Sequence, residues 1–543
     1  MRKYSLVIPA LLIGAILGIK FQHLLHNDPV SENTDKFNKI LNTSFNDYVD
    51  ETDPDQLTEA ALIGLMEKLD VHSLYINSED MRLVTEEFRG SFEGIGISYK
   101  VLRDTIVIVS TIDGGPSQSA GLVAGDKIIN VDAQSAVGID RDSIPNRIKG
   151  EKGSTVKLDI SRQGIDSLLV INVTRDKIPF NSVDAAFIVS QDIGLIQINR
   201  FSATTHDELS NALKKLSKQG MKRLILDLRN NPGGFLREAV LCADEFLEEN
   251  KIIVYTKGRQ DKGFDDIYRS SAAGNFKNIT LIVLINESSA SASEILSGSI
   301  QDLDRGLVVG TTSFGKGLVQ RQYDLADGSA FRLTISRYHT ASGRCIQRSL
   351  KNKIAYEHLA GRLELRDGSY INNSVEKLKA NLLNDDISLG FIDSLPEFKT
   401  EHGRTVFGSG GITPDYIVEQ DTITPLSIEI RRNSIVFDYV TNVLDYETIR
   451  NKYAGKTDDF IRNFEVNSQM IAEFKTLALS REIEWEKEMF ATDYEYIKNR
   501  IKAEIARKLG GYEALLEVIG KSDKQILKAI DLFPAAEKIS KMK

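Results

Sequence analysis

The sequence predicts a multidomain α/β protein, in which an α/β core with parallel strands is joined to a β-rich domain and to helical regions at both ends. Its 543 residues are too many for a single hydrophobic core. An apolar fraction of 41% argues against long disordered stretches. From about residue 178 to about residue 345, apolar strands alternate with amphipathic helices, which is the pattern of βαβ units and indicates a parallel sheet.

The N-terminus carries a targeting signal. Arg2 and Lys3 precede an apolar run at residues 5–19, and no small-x-small cleavage site follows it. If Lys20 directs its amine to the lipid headgroups, the apolar stretch extends beyond it and approaches the length that spans a bilayer. We therefore predict an uncleaved signal anchor at residues 1–26 in the inner (cytoplasmic) membrane, with the rest of the chain exported. A cleaved signal peptide is the alternative, and it would export the same residues.

Changes of hydrophobic period divide the exported part into four regions. Apolar residues at helical spacing, after a start signal at Pro54, predict short helices at residues 30–88. Alternation with a period of two then predicts a β-rich domain at residues 89–176. The α/β core follows at residues 177–425. A charged tail with Glu–Lys pairs at helical spacing predicts a helical region at residues 426–543.

Charge and cysteine content exclude several function classes. The net charge is −9, and no basic block exceeds a few residues, so nucleic acid is not expected as a partner. Cys242 and Cys345 form neither a CxxC motif nor a metal-ligand spacing. We therefore predict no metal and no cofactor.

A serine-rich segment, Ser-Ala-Ser-Ala-Ser-Glu at residues 289–294, lies between an apolar strand and a helix. At such a junction, free backbone N–H groups and the positive end of the helix dipole point at the exposed side chain. A nucleophilic Ser291 would have its oxyanion stabilised there, as acyl transfer requires. Ser291 and Glu294 also fit an ordinary capping box, so this segment indicates catalysis only together with a base.

Lys316 is the candidate base. It stands between Gly315 and Gly317, before a predicted strand, which is an unusual place for a solvated side chain. Burial lowers the pKa of a lysine, and the neutral amine can then accept a proton from a serine hydroxyl. Gln320 lies four residues further on, on the same side of an extended strand, and is predicted to orient the amine. A surface turn is the alternative, and His339 is a rival base that spacing alone does not exclude.

A second strand-to-helix turn, at residues 227–234, ends in the pair Gly233 and Gly234. Glycines let the backbone approach a ligand closely and adopt positive φ. We expect the amide of Ala292 and one of these glycine amides to donate hydrogen bonds to an oxyanion. An ordinary strand-to-helix turn could carry the same residues.

Taken together, these segments resemble the carboxyl-terminal processing peptidases, or tail-specific proteases, which are serine peptidases with an inserted PDZ domain. The resemblance covers residues from about 35 to about 420 and rests on the order and spacing of its motifs. Those motifs are LDVHS at residues 69–73, GIGI at 94–97, AGL at 120–122, LRNNPGG at 228–234, SASASE at 289–294, FGKG at 314–317, YHTASGR at 338–344 and GGITPD at 410–415. Val71 and Ala341 stand where the family often has proline.

The resemblance implies roles for individual residues. It places the nucleophile on Ser291, the base on Lys316 and the supporting residue on Gln320. It also implies a core similar to the crotonase and Clp protease folds. The helical tail after about residue 426 lies outside the strongest part of the match.

The resemblance also implies peptide recognition by the β-rich domain. PDZ domains add a peptide as a strand to a sheet edge and hold its terminal carboxylate in a nest of backbone N–H groups. The residues expected to do this are Phe92, Gly94, Ile95, Gly96 and Ile97. We therefore expect substrates to be proteins or peptides with accessible C-termini and apolar last residues.

Two other functions stay open at this stage. One is a PDZ-containing binding protein or chaperone without catalytic activity, which the retention of Ser291, Lys316 and Gln320 disfavours. The other is a crotonase-type acyl-CoA enzyme, which the export signal and the PDZ pattern disfavour. The oligomeric state is not fixed by the sequence, and a homo-oligomer remains among the expected assemblies.

Overall fold

The computed structural model describes residues 29–112, 114–260, 262–348 and 396–542. It contains two compact units, one formed by the chain up to Met81 with residues 320–334, and the other by the rest. The predicted anchor at residues 1–26 lies outside the described residues. In the part that is described, no helix is long and apolar enough to cross a bilayer.

The first unit is small. Its elements are α1 (Pro29–Asp47), α2 (Pro54–Glu67) and β1 (Leu74–Ile76). Pro54 opens α2, as predicted, and the carboxylate of Asp53 caps this helix by accepting a hydrogen bond from a first-turn amide at 2.9 Å. β1 pairs antiparallel with residues 330–332.

The second unit begins with an inserted β-rich domain. Its elements are α3 (Ser78–Arg89, which starts in the first unit), β2 (Ser91–Gly94), β3 (Ile97–Leu102), β4 (Thr105–Thr111), α4 (Pro116–Ser119), β5 (Lys127–Val131), β6 (Gln134–Ser135), α5 (Ile144–Ile148), β7 (Thr155–Ser161), β8 (Leu169–Thr174) and β9 (Asp176–Pro179). The main sheet has the order β3-β4-β5-β7-β8 and is antiparallel. Val156, Leu158 and Ile160 of β7 all point into the domain's core, which confirms the predicted period of two.

The α/β core is built on a six-stranded sheet. Its elements are β10 (Val183–Ser190), β11 (Ile193–Ile198), α6 (Thr205–Lys218), β12 (Arg223–Asp227), α7 (Leu236–Asp244), β15 (Thr280–Ile285), α8 (Ala292–Asp302), β16 (Leu307–Gly310) and β21 (Tyr416–Ile417). The strand order is β10-β11-β12-β15-β16-β21, and the strands from β11 to β21 are parallel, which confirms the predicted core. The carboxyl ends of β12 and β15 therefore meet at one edge, and the loops after them lead into α7 and α8.

Shorter sheets accompany the core. Their strands are β13 (Ile252–Gly258), β14 (Asp266–Arg269), β17 (Leu318–Asp324), β18 (Ala330–Thr340), β19 (Glu397–Lys399) and β20 (Thr405–Phe407). β13 pairs antiparallel with β14 and with residues 336–340 of β18. β19 pairs antiparallel with β20.

The predicted helical C-terminal region is confirmed. Its helices are α9 (Pro425–Arg432), α10 (Ile435–Asn442), α11 (Tyr446–Tyr453), α12 (Thr457–Asn463), α13 (Ser468–Ser480), α14 (Lys487–Gly520) and α15 (Lys524–Ser540). α14 consists of two helical segments joined at Gly510 and Gly511, whose backbone angles are not helical. Buried side chains of α9 to α14 form an apolar core of their own.

Different helices cover the two faces of the six-stranded sheet. Because successive residues of a strand point to opposite faces, Leu224 and Leu226 of β12 pack on the side of α6, α7 and α8, whereas Ile225 packs with α15. Ala529 and Phe533 of α15 are buried in this second contact. We call the side of α6 to α8 the near face and the side of α15 the far face.

The helical region also contacts the inserted domain. Phe437 of α10 packs against Leu102, Val107 and Val109 of that domain. Arg507 of α14 donates a hydrogen bond to the carbonyl of Val109 at 2.7 Å.

Candidate active site

Ser291 lies where β15 turns into α8. Its φ of 55° and ψ of −110° are rarely adopted by a residue with a Cβ, so the backbone is strained here. Neighbouring serines hold the turn: Ser289 Oγ donates to the carbonyl of Leu228 at 2.8 Å, and Ser293 Oγ donates to that of Asn231 at 3.0 Å. Ser291 is partly exposed, whereas α8 is buried throughout. The turn therefore presents the serine at the predicted strand-to-helix junction.

A buried carboxylate joins the serine turn to the lysine loop. Glu294 Oε2 accepts hydrogen bonds from the backbone amides of Ser291 at 2.7 Å and of Lys316 at 2.9 Å. Its Oε1 accepts from the amide of Gly315 at 2.7 Å and from the hydroxyl of Ser313. Burial raises the pKa of Glu294 to about 7, although these hydrogen bonds oppose the rise. The sequence had shown Glu294 only as part of a capping box.

The loop that carries Lys316 is fixed on both sides. Gly315 has a φ of 89°, and a Cβ on it would lie 2.5 Å from Cγ of Arg348. Gly317 donates its amide to Gln347 Oε1 at 2.8 Å and accepts at its carbonyl from the amide of Tyr338 at 3.0 Å. An unconstrained surface turn would not be held in this way. The Lys316 side chain is partly buried.

Tyr338 and His339 lie on opposite sides of β18, because they are consecutive residues of a strand. The buried hydroxyl of Tyr338 donates to the carbonyl of Ser291 at 3.1 Å. His339 instead bonds through Nδ1 to the carbonyl of Gly343 at 3.1 Å and stacks on Tyr255, with ring centroids 4.9 Å apart. Burial lowers the pKa of His339. The rival base thus points away from Ser291, and the contact of Tyr338 with Ser291 is one that the sequence analysis missed.

The glycine pair lies against the serine turn. Gly233 has a φ of 99°, and a Cβ on it would lie 2.8 Å from Cβ of Ser291 and 2.9 Å from the amide nitrogen of Ala292. Its own amide donates to Asn231 Oδ1 at 2.9 Å. Gly234 lies so close to the carbonyl of Phe201 that a Cβ would be 2.1 Å from the oxygen. The oxyanion roles of Ala292, Gly233 and Gly234 stay predictions. For Gly233 to donate to an oxyanion, its amide must first give up the hydrogen bond to Asn231 Oδ1.

Gln320 belongs to the first unit, where its side-chain amide donates to the carbonyl of His72. β17 begins at Leu318, so the alternation that was expected to align Gln320 with Lys316 does not extend along the whole segment. Its support of Lys316 stays a prediction.

The inserted domain contains a groove of about 320 Å³ between β3 and α5. Most of the residues expected to bind peptide line it, namely Phe92, Ile95, Gly96 and Ile97, whereas Gly94 is not among the lining residues. The other lining residues are Leu83, Glu86, Tyr99, Pro145, Ile148, Lys149 and Phe180. The wall is mainly apolar, and β3 is an edge strand, so the groove has the features needed to add a peptide strand.

One ion pair lies at the groove. Lys149 Nζ is 2.5 Å from Glu86 Oε2 and 4.8 Å from the centre of the Phe92 ring. Both charged side chains are about one fifth exposed. A peptide that ends near Lys149 would bring its terminal carboxylate to an ammonium group whose charge is already neutralised by Glu86 of α3.

Within the described ranges, no group of three His, Cys, Asp or Glu side chains is arranged to hold a metal ion. Cys242 and Cys345 are both free thiols.

Family models match three parts of the chain. Residues 192–355 match Peptidase family S41, and residues 94–173 match the PDZ domain. Residues 427–511 match a family of unknown function, DUF8443. These ranges fall on the core, the inserted domain and the helical region, respectively.

Two named relatives agree with these models. The chain is 35% identical to the carboxy-terminal processing protease CtpA of Bacillus subtilis over 58% of this chain and 66% of that protein. It is 35% identical to the carboxy-terminal-processing protease of Bartonella bacilliformis over 64% of this chain and 80% of that protein. A solved structure of the photosystem II D1 C-terminal processing protease is 28% identical, with a TM-score of 0.33 over 56% of this chain and 83% of that one. The chain belongs to peptidase family S41, among the carboxy-terminal processing serine proteases with a PDZ domain.

Proposed function

We propose that this protein is an exported, membrane-anchored endopeptidase that binds the accessible C-terminal tails of exported proteins in its PDZ groove and cleaves them with a Ser291–Lys316 dyad. The observation that carries the proposal is the Glu294 carboxylate. One of its oxygens accepts from the backbone amides of both Ser291 and Lys316, so two loops 25 positions apart in the chain are held together.

Acylation follows from this arrangement. Neutral Lys316 takes the proton of Ser291 Oγ as the oxygen forms a bond to the scissile carbonyl carbon. The amides of Ala292 and of Gly233 or Gly234 stabilise the oxyanion. When the C–N bond breaks, the Lys316 ammonium returns a proton to the leaving amine, and an acyl-enzyme results. Water then attacks the ester, with Lys316 again as base, and releases Ser291.

Substrate selection is assigned to the groove. An extended tail would pair with the edge of β3, and its last side chain would enter the apolar pocket near Ile95 and Ile148. Apolar C-terminal residues fit this lining best.

Mass spectrometry of the products tests the activity directly. The full chain in detergent micelles should cleave an unfolded protein tail, and Ser291→Ala should not. Ser288→Ala is the matched control, because Ser288 is exposed on the same loop. A PDZ-containing binding protein without activity is the rival. It is supported if wild type and both variants bind the tail but leave it intact.

Recognition of the chain end has its own test. Amidating the C-terminus of a peptide substrate removes the carboxylate, so we expect KM to rise about tenfold, the equivalent of one lost charged contact. Equal KM values for the acid and the amide would show that the groove does not read chain ends.

The location is tested by N-terminal sequencing. Arg2 and Lys3 favour export of everything after the apolar run, and the lack of a small-x-small cleavage site after that run favours an uncleaved anchor. The mature protein should then begin at or near Met1 and fractionate with membranes. A soluble form that begins after about residue 26 would instead indicate a cleaved signal peptide.

A further inference from the structure

The Arg229 guanidinium lies at the start of the loop that leads from β12 to the glycine pair. It is only 9% exposed. Its Nε and Nη2 donate to the two carboxylate oxygens of Asp227 at 2.9 and 2.6 Å. Its Nη1 turns the other way, to the carboxylate of Asp523 at 2.9 and 3.1 Å and to Gln525 Oε1 at 2.7 Å. Burial alone would lower the pKa of Arg229, but the two carboxylates raise it, so the side chain stays charged.

The residues after Arg229 are tied to the serine turn. The amide of Asn230, which has a positive φ of 60°, donates to Asn286 Oδ1 at 2.8 Å. The carbonyl of Asn231 accepts from the amide of Ala290 and from Ser293 Oγ, both at 3.0 Å. A shift of Arg229 would therefore move the segment that places Gly233 against Ser291.

Asp523 is itself rigidly held. It caps α15 by accepting from the amides of Gln525 at 2.9 Å and Ile526 at 3.0 Å. Gln525 Nε2 donates to the carbonyl of Val418 at 2.6 Å. Ile526 is buried on the far face of the sheet. The carboxylate is thus a fixed point, supplied from 294 residues further along the chain than Arg229.

We propose that Asp523, assisted by Gln525, is a positioning residue that acts through Arg229 to hold the loop of Gly233 in its place beside Ser291. The inference rests on the proposed dyad. It assigns to α15, which lies beyond the residues matched by the S41 model and by DUF8443, a part in the catalytic rate.

The expected effect falls on the chemical step. Displacing a catalytic group by about 1 Å can cost about 100-fold in rate. The groove between β3 and α5, to which tail binding is assigned in the proposed function, contains neither Asp523 nor Arg229. Loss of the Asp523 charge should therefore lower kcat and leave KM nearly unchanged.

Asp523→Asn is the test variant, because asparagine also caps helices and so removes the charge while preserving the start of α15. Asp531→Asn is the matched control, since Asp531 is exposed on the same helix. With the full chain in detergent and a tail peptide, we expect Asp523→Asn to lower kcat about 10- to 100-fold with KM within about twofold. We expect Asp531→Asn to match wild type. Asp523→Glu restores the charge and should recover at least part of the loss.

The outcomes separate the two proposals. If wild type and Asp531→Asn do not cleave, the proposed function is wrong. If they cleave and Asp523→Asn is equally fast, the positioning role alone is wrong. A purely structural role is shown if Asp523→Asn loses activity in proportion to a lower thermal midpoint, with KM changed as well and no recovery in Asp523→Glu. The proposal is supported if Asp523→Asn lowers kcat without changing KM or the thermal midpoint, and if Asp523→Glu recovers activity.

Discussion

The near and far faces of the six-stranded sheet are covered by helices from very different positions in the chain. On the near face, α6, α7 and α8 follow their strands directly, as βαβ connections require, and α8 begins one residue after Ser291. On the far face, α15 comes from residues 524–540, more than 200 positions after the last helix of the near face.

The two faces differ in what they contribute to the protein: the near face carries the candidate active site, whereas the far face is packed by the apolar side chains of α15. The near-face helix α8 contributes Glu294, and its start forms the turn that carries Ser291. The far-face helix contributes apolar side chains to the core and one ionic contact, through Asp523, to the loop at the sheet edge. We therefore expect substitutions at the near-face site and at Asp523 to act on rate, and those of the buried apolar side chains of α15 to act on stability.

The largest effect is expected at the dyad. Ser291→Ala and Lys316→Ala should each lower kcat by about 10⁴-fold or more, and the double variant should be no slower than either, because the members act as a unit. Lys316→Arg should also be inactive, since guanidinium does not give up its proton at usable pH. Peptide hydrolysis assays measure all four. A Lys316→Ala rate near that of wild type would remove the lysine from the mechanism.

A stability change of several kcal/mol is expected on the far face. Phe533 is buried on the sheet, so Phe533→Ala should lower the free energy of unfolding by about 3–5 kcal/mol in urea titrations. Leu527→Ala, on the exposed side of α15, is the control and should cost less than about 1 kcal/mol. If both variants unfold like wild type, α15 does not support the core.

The pH dependence of stability tests the Glu294 carboxyl. Its pKa is about 7 in the fold, against a value of 4.5 that applies when it is unfolded, so the folded state binds more protons between these pH values. The contribution of this group to the free energy of unfolding should therefore fall by about 3 kcal/mol as pH rises from about 4.5 to about 7.

Urea titrations across that range should show the decline in wild type and in the control Glu287→Gln, but not in Glu294→Gln. The same decline in Glu294→Gln would assign it to another group.

The smallest effect is expected at His339. Its ring faces Tyr255 and Gly343, on the side of β18 opposite to Tyr338. His339→Ala should therefore keep kcat/KM within about threefold of wild type, as expected for a residue away from the chemistry. Complete loss of activity in a well-folded His339→Ala variant would instead indicate that the imidazole of His339 is the general base.

Local patterns predicted much of the near face. The apolar run of β15 and the serine-rich turn predicted the position of Ser291. The glycines on either side of Lys316, Gly315 and Gly317, marked this lysine as unusual. The role of Glu294 in joining the two loops was not predicted. Its capping position can be read from the sequence, but its hydrogen bonds to residues 313–316 depend on the loop that folds back onto α8.

The far face could be anticipated only in part. Strands such as β12 and β15 are apolar at every interior position, which predicts that both faces are covered. Nothing in the helical pattern of α15 identifies the sheet as its partner, and an ion pair between Arg229 and Asp523 cannot be read from residues 294 positions apart.

Coverage of the far face by α15 has a consequence for the order of folding. Synthesis proceeds from the N-terminus, and domains generally fold as units while the chain emerges. The far-face side chains, such as Ile225 and Ile282, stay uncovered until α15 has been synthesised, more than 200 residues after α8. Such long-range closure is slow and leaves apolar surface open to other chains. We expect chains that lack α15 to be captured by chaperones or to aggregate, because the apolar far face of their sheet stays exposed.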